Sequence, residues 1–141
     1  MPLLFSYGSN HPTQLAERLG HNVVVFPVYA EGYLRVFRGW SRNWNCGVAS
    51  LKKGRGATYG VASPVTEADL KTLDRFEGVA SGKYRRMSVP VRDTDGVKKT
   101  AVAYVSTSSE YNPPSQAYLE ACAKTVSAGW GHVSPEDFPI R

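Results

Sequence analysis

The stretch Leu3-Leu4-Phe5-Ser6-Tyr7-Gly8-Ser9-Asn10 decides how the N-terminal part of this chain folds. Its apolar beginning predicts a strand over Leu3–Tyr7, and the residues after it predict a helix over Pro12–Leu19. The Gly-Ser-Asn turn between them leaves backbone N–H groups without a partner in either element. Such groups can point outward together and hold a carboxylate or a developing oxyanion. The stretch therefore predicts an anion-binding turn, although a turn of this composition can also simply redirect the chain.

A single acidic residue further along the chain complements this turn. Leu70 and Leu73 form an apolar stripe on a predicted helix, joined one turn later by Phe76 or Glu77. Gly78 ends the helical pattern, so the Glu77 carboxylate lies where the helix gives way to a loop. Taken alone, Glu77 could equally be a surface acid beside a basic residue. Together, the turn and the acid indicate a small enzyme that acts on a small anionic substrate.

Size and composition indicate one folded domain over residues 1–141. The 141 residues suffice for one hydrophobic core, and the hydrophobic fraction of 42% is typical of folded proteins. No apolar run approaches the length of a membrane span, and the N-terminus lacks the pattern of a secretion signal. We therefore expect a cytoplasmic protein that does not enter a membrane.

The cysteines and histidines do not indicate a metal site. The two cysteines lack a Cys-x-x-Cys spacing, and the three histidines lack the spacing of paired ligands. We expect no metal and no cofactor, and we expect both thiols to be reduced, buried, small apolar groups. These residues are Cys46, Cys122, His11, His21 and His132.

Positive charge is concentrated in the first part of the chain. The net charge is +5, and residues 1–60 carry seven Lys or Arg against two acids, whereas residues 61–141 carry ten of each. This surplus would attract an anionic ligand or RNA, or it could be an ordinary solvated basic surface. An RNA-binding hypothesis also rests on basic and aromatic residues that alternate between Arg35 and Trp44, as in base-stacking surfaces. Those residues are Phe37, Arg38, Trp40, Arg42 and Trp44.

The remaining patterns predict an α+β fold whose sheet curls into a small mixed β-barrel flanked by a few helices. Further strands are predicted at 23–26, 32–37, 47–51, 57–62, 84–91 and 97–105, with a loop at 38–45 and a basic hairpin tip at 52–56. Thr66 and Asp69 are expected to form a capping box at the start of the acidic helix. Asp74 on this helix is expected to be structural and to face outward beside Arg75. A last helix is predicted from residue 113 to about residue 128, ended by Gly129-Trp130-Gly131.

Six segments of the chain form a recognisable series in their order along the sequence. They are Phe5–Asn10, Gly32–Phe37, Trp44–Ala49, Tyr59–Val61, Leu73–Val79 with Gly82 and Tyr84, and Pro113–Ser115 with Tyr118. Together these segments resemble the γ-glutamyl cyclotransferase-like family. The resemblance extends from the N-terminus to about Trp130 and departs from the family pattern at Asn45-Cys46-Gly47.

The resemblance implies release of 5-oxoproline from a small γ-glutamyl compound, without metal or cofactor. It implies that Glu77 is the general acid and base, and that Gly8, Ser9 and Asn10 hold the substrate through their N–H groups. Tyr7 and Tyr118 are expected to line the substrate pocket, although either could be a core residue. A γ-glutamylamine substrate, an RNA-binding module and a non-catalytic small-molecule binder remain alternatives. We expect no nucleic-acid or membrane partner, and a monomer or a homodimer.

Overall fold

The computed structural model describes residues 1–141 and contains five strands and three α-helices. All three helices begin with a side-chain cap, from His11, Thr66 and Ser115 respectively. A short 3₁₀ turn at Pro135–Asp137 follows the last helix. In chain order the elements are β1 (Leu3–Ser6), α1 (Pro12–Leu19), β2 (Phe26–Ser41), β3 (Cys46–Pro64), α2 (Glu67–Glu77), β4 (Tyr84–Asp93), β5 (Lys98–Ser106) and α3 (Gln116–Trp130).

The five strands form a closed barrel in the order β1-β3-β2-β4-β5. Every neighbouring pair is antiparallel except β1 and β5, which meet in parallel at Leu4 and Val102. Closure removes the unpaired edges that an open sheet of this size would expose. The predicted α+β fold with a small mixed barrel is confirmed.

The strand boundaries predicted for the first half of the barrel were wrong. The segments predicted as separate strands at 23–26 and 32–37 belong to one strand, β2, apart from residues 23–25, which precede it. The chain predicted as a loop at 38–45 continues β2 to Ser41, and only four residues connect it to β3. Two register shifts interrupt the pairing of β2 with β3, and each contains a glycine at positive φ, Gly32 and Gly39. These bulges bend a strand that is too long to lie straight in a small barrel.

The basic segment at 52–56 is part of β3 and not a hairpin tip. Lys52 and Lys53 pair with Leu34 and Tyr33 of β2. A Cβ atom on Gly54 would lie 2.7 Å from Leu34 Cδ1, so this glycine makes room for a side chain of the neighbouring strand. The glycines that indicated a turn therefore serve packing between two paired strands.

Helix α2 lies on the barrel through a small apolar cluster that includes Leu15, Leu70 and Leu73. The predicted capping box at Thr66 is present. Phe76 is 54% exposed, so the next position on the buried stripe after Leu70 and Leu73 is taken by Glu77. The helix therefore directs a carboxylate toward the barrel at a position where its pattern calls for an apolar residue.

Helix α3 covers another face of the barrel and ends two residues later than predicted, at Trp130. Gly129 lies inside the helix, where a Cβ atom would be 2.7 Å from Val61 Cγ1 and 3.0 Å from the backbone of Pro27. This glycine permits close approach to the sheet and does not stop the helix. Cys46 and Cys122 are buried, unpaired thiols, as predicted. None of the helices combines the length and the apolar character required to cross a bilayer.

Candidate active site

The turn after β1 carries three backbone donors without an acceptor in the protein. The N–H groups of Gly8, Ser9 and Asn10 donate no hydrogen bond to any backbone or side-chain atom. The carbonyl of Ser9 accepts from the N–H of His11 at 2.9 Å, which shapes the turn just before α1 begins at Pro12. The predicted set of free N–H groups is therefore present, and its residues border a cavity.

Glu77 borders the same cavity. It is the last residue of α2, and Gly78 follows it in the left-handed conformation with φ of 72°. Its side chain is 13% exposed, and Oε1 accepts a hydrogen bond of 3.0 Å from Asn10 Nδ2. Arg18 Nη1 lies 3.7 Å from Oε1 and donates to Asn10 Oδ1 at 3.1 Å. The acid and the anion-binding turn, 67 residues apart in sequence, therefore touch each other.

The environment of Glu77 favours its neutral form. Burial raises the pKa of this carboxyl above its ordinary value, and the hydrogen bond from Asn10 and the charge of Arg18 offset the effect only in part. The carboxyl also lies at the C-terminal end of a helix, where the helix dipole disfavours negative charge. A carboxyl tuned in this direction is better suited to accept and return a proton than one with its ordinary pKa.

The cavity has a volume of about 100 Å³ and is rich in tyrosine. Burial raises the pKa of all four tyrosines, so their hydroxyl groups are neutral hydrogen-bonding groups. The opposite wall is formed by the turn between β2 and β3 and by the start of β3. Its lining includes Tyr7, Gly8, Ser9, Asn10, Arg18, Asn43, Trp44, Ala49, Phe76, Glu77, Lys83, Tyr84, Tyr104 and Tyr118.

Tyr7 and Tyr118 are both core residues and cavity walls. Tyr7 donates its hydroxyl proton to the backbone carbonyl of Tyr104 at 2.6 Å. Tyr118 Oη accepts a hydrogen bond from the N–H of Ala49 at 2.7 Å. A Cβ atom on Gly8 would lie 3.2 Å from Tyr118 Oη, which shows how closely the turn approaches this hydroxyl.

Two features of the site were not predicted from the sequence. Asn10 was predicted to act only through its backbone, whereas its side-chain amide joins Glu77 to Arg18. Arg18 was not predicted to belong to the site, and its guanidinium also lies over the Phe76 ring at 4.9 Å. The available signal was weak, because an arginine in the last turn of α1 is also what an ordinary surface helix carries.

Asp74 has the predicted structural role, but the prediction that it faces outward beside Arg75 was wrong. Its carboxylate receives two hydrogen bonds from Arg86 at 2.9 and 2.7 Å, and one from the hydroxyl of Tyr104 at 2.7 Å. These bonds connect α2 to β4 and β5 one turn before Glu77. Asp74 therefore helps to fix the end of the helix that carries the acid.

The residues behind the RNA-binding hypothesis do not form one surface. Phe37 is fully buried, and Trp44 packs edge-on against Tyr118 with ring centres 5.4 Å apart. Trp40 is 49% exposed, and Arg38 lies 5.9 Å from the ring of Tyr111. Base-stacking surfaces require several exposed rings in a row, and this stretch divides its rings between core and surface.

No three His, Cys, Asp or Glu side chains come together as a metal site would require.

The fold and the site define a small mixed-barrel protein with a buried acid that faces an anion-binding turn. A family model described as the AIG2-like family matches residues 57–132. Relatives named gamma-glutamylcyclotransferase from Bos taurus and Homo sapiens are each 30% identical over 122 residues, which is 82% of this chain and 65% of each relative. A solved gamma-glutamyl cyclotransferase structure is 27% identical with a TM-score of 0.80, covering 86% of this chain and 76% of that one.

The chain belongs to the AIG2-like family, since the family model matches more than half of its residues. The resemblance inferred from the N-terminal turn and the acidic helix is thereby confirmed. The chain spans about two thirds of the length of the curated relatives it matches, at 65%. The activity of those relatives is therefore a proposal for this chain.

Proposed function

We propose that this protein is a γ-glutamyl cyclotransferase, which releases 5-oxoproline from a small γ-glutamyl compound. One observation carries the proposal: the buried carboxyl of Glu77 borders the same small cavity as the three unpaired N–H groups of residues 8–10. The relatives named gamma-glutamylcyclotransferase support an enzyme of this kind. The reaction needs no nucleophile from the protein, because the substrate's own α-amine attacks its γ-carbonyl carbon.

In the proposed mechanism, Glu77 moves one proton. Its ionised carboxylate takes a proton from the substrate's α-ammonium group, and the resulting amine forms a C–N bond to the γ-carbon. The γ-carbonyl oxygen becomes an oxyanion in a five-membered tetrahedral intermediate. The protonated Glu77 then returns the proton to the departing nitrogen as the original amide bond breaks, and the ring nitrogen releases its second proton to solvent, which leaves the neutral lactam. A group that accepts and returns a proton in this way typically contributes ~10²–10⁴-fold to the rate.

The turn of residues 8–10 supplies substrate binding in this mechanism. Its N–H groups would hold the α-carboxylate and the oxyanion, and Gly8 allows the substrate close approach because it has no side chain. Holding the glutamyl chain in a folded conformation brings amine and carbonyl together, and such intramolecular arrangements reach effective molarities of ~10⁵–10⁸ M. Tyr118 is proposed to offer its hydroxyl to the bound glutamyl group, and Tyr7 to form the pocket wall.

The charge around the cavity favours a leaving group that carries a carboxylate. Lys83 borders the cavity, is exposed, and forms no ion pair with an acidic side chain. An unpaired cation attracts a carboxylate on the departing amino acid or peptide more strongly than an uncharged or cationic amine. We therefore propose γ-glutamyl amino acids or peptides as substrates in preference to γ-glutamylamines.

The central test is the variant Glu77→Gln, assayed for 5-oxoproline release from a panel of γ-glutamyl dipeptides, glutathione and γ-glutamylamines. The glutamine can keep the hydrogen bond from Asn10, so the fold and substrate binding should survive while turnover falls by roughly 10²–10⁴-fold. Glu17→Gln is the matched control, since Glu17 is exposed and outside the cavity. Undiminished 5-oxoproline production by Glu77→Gln would reject the mechanism.

We further propose that the enzyme works in the cytoplasm as a monomer or homodimer, without metal or cofactor. Cell fractionation and sedimentation of the purified protein test the first two statements. Activity that survives exhaustive treatment with a chelator tests the third, and loss of activity restored by an added metal would contradict it.

A further inference from the structure

A second cavity shares no residue with the candidate active site. It has a volume of about 350 Å³ and lies between β2, β3, the end of α3 and the C-terminal segment. Val126, Trp130, Val133 and Phe138 give it apolar walls. A volume of this order falls within the usual range of roughly 300–1,000 Å³ for small-molecule sites.

A buried arginine lines this second cavity. Arg35 on β2 is only 9% exposed, and its guanidinium lies 4.8 Å from the centre of the Phe138 ring. Nε donates to the carbonyl of Tyr7 at 2.9 Å, and Nη2 donates to the carbonyl of Tyr59 at 2.7 Å. A buried cation is normally paired with a carboxylate, because burial without a counter-charge costs free energy.

Arg35 has no such counter-charge in the protein. It forms no ion pair with any acidic side chain, and burial lowers the pKa of its guanidinium from the ordinary value. Its Nη1 atom donates to no protein atom, and the protein does not fully enclose this atom. This donor therefore has access to the cavity that the residue lines.

The side chains at this cavity carry a net positive charge. Arg141 lines it together with Arg35, and the one acidic side chain is Asp137. Asp137 is exposed, and its Oδ2 accepts a hydrogen bond of 2.9 Å from the N–H of Ser134 within the 3₁₀ turn. The acid is thus engaged by its own turn, while the guanidinium of Arg35 keeps an unused donor.

We propose that this cavity binds a small molecule with an apolar body and one carboxylate. The carboxylate receives hydrogen bonds from Arg35 and supplies the missing counter-charge. The apolar body packs against Trp130, Val133 and Phe138. This site is additional to the proposed cyclotransferase function and does not depend on it.

The three tryptophans of the chain provide separate reporters for a binding experiment. Trp130 borders the second cavity, Trp44 borders the candidate active site, and Trp40 borders neither. The indole N–H of Trp130 donates to the carbonyls of Val28 and Gly60, at 3.2 and 2.9 Å, so its NMR signal reports on the cavity wall. The full-length protein is titrated with 4-phenylbutyrate and, as a neutral match, with 4-phenylbutyramide.

Titration with 4-phenylbutyrate should shift the Trp130 indole signal saturably and leave the signals of Trp44 and Trp40 in place. The amide should bind at least roughly tenfold more weakly, because it lacks the charge that pairs with Arg35. The Val133→Trp variant fills the cavity, so it should no longer bind 4-phenylbutyrate. The Trp130 signal of this variant reports the loss. Arg38→Met is a control, since Arg38 lies on the same strand but outside the cavity.

Loss of binding in Arg35→Met would add support, but that variant also loses the bonds to Tyr7 and Tyr59 and could fail to fold. The comparison of acid with amide and the Val133→Trp variant decide the question without it. The proposal is overturned if the two compounds bind equally, if Trp130 does not respond, or if folded Val133→Trp binds as tightly as the wild type. None of these readouts requires the protein to turn over a γ-glutamyl substrate.

Discussion

Gly8 is the position where a small change in volume tests the proposed substrate-binding turn most directly. A Cβ atom there would lie 3.2 Å from Tyr118 Oη and 3.3 Å from Ala49 Cβ. The backbone of Gly8 is not in the left-handed region, so alanine and valine can adopt its conformation without strain. The effect of a substitution therefore comes from crowding alone.

The expected loss grows with the size of the new side chain. In Gly8→Ala, the two contacts are shorter than ordinary by a few tenths of an ångström, and a small shift of the turn relieves them. In Gly8→Val, two more methyl groups enter a cavity of only about 100 Å³. Overpacking of this kind costs about 1–3 kcal/mol. If the turn moves to relieve this overpacking and the same free energy is lost from substrate binding, the affinity for substrate falls roughly 5–150-fold.

For each variant, we would measure the KM for 5-oxoproline release from the best γ-glutamyl substrate and, separately, the thermal unfolding midpoint. Ala49→Gly removes one of the two crowding atoms, so Gly8→Ala combined with Ala49→Gly should recover part of the loss. Ala49→Gly alone is the control. A folded Gly8→Val protein with the wild-type KM would refute the assignment of this turn to substrate binding.

Four further predictions concern charges around the site. Burial raises the pKa of Glu77, and the base must be ionised, so kcat/KM should rise with pH through that raised pKa. A carboxyl whose pKa is raised by folding makes the folded state less stable as pH rises from the unfolded-state pKa to the folded-state pKa. Glu77→Gln should therefore gain stability relative to the wild type across that pH range, as measured by urea unfolding. Hydrogen bonds from Arg86, and then from Tyr104, lower the pKa of Asp74, so its contribution to folding stability is present above the unfolded-state pKa and is lost as pH falls through the folded-state pKa. Asp74→Asn should therefore cost about 1–3 kcal/mol of stability at neutral pH and much less in acid. An equal cost at both pH values would contradict the ion pair with Arg86. Lys83→Glu should lower kcat/KM roughly tenfold for γ-glutamyl dipeptides but not for γ-glutamylamines, and equal effects on both classes would exclude Lys83 from recognising the leaving group.

Features set by neighbouring residues were predicted well from the sequence. The spacing of Leu70, Leu73 and Glu77 follows from the helical period, and the structure has all three on the side of α2 that faces the barrel. The Asp93–Gly96 turn lies between the strands predicted at 84–91 and 97–105, and Asp93 Oδ1 accepts hydrogen bonds from the N–H groups of Asp95 and Val97 there. In each case the deciding interactions span only a few residues.

The errors arose where a distant strand decides the local structure. The segment at 52–56 has the glycines and charges of a turn, but its pairing with β2 keeps it extended. Gly54 is needed because the Leu34 side chain packs over it, and nothing in the local sequence indicates that contact. Local composition cannot distinguish a glycine that turns the chain from one that makes room for a neighbour.

The amino-acid sequence by itself determined the turn with free N–H groups and the helix that ends in Glu77, because these depend on contacts within a few residues. Only the tertiary structure decided that Asn10 meets Glu77, that Arg18 joins them, and that Arg35 lines a second cavity without a counter-charge. These arrangements depend on barrel closure, which brings together residues far apart in the chain through packing and hydrogen bonds that no local pattern encodes.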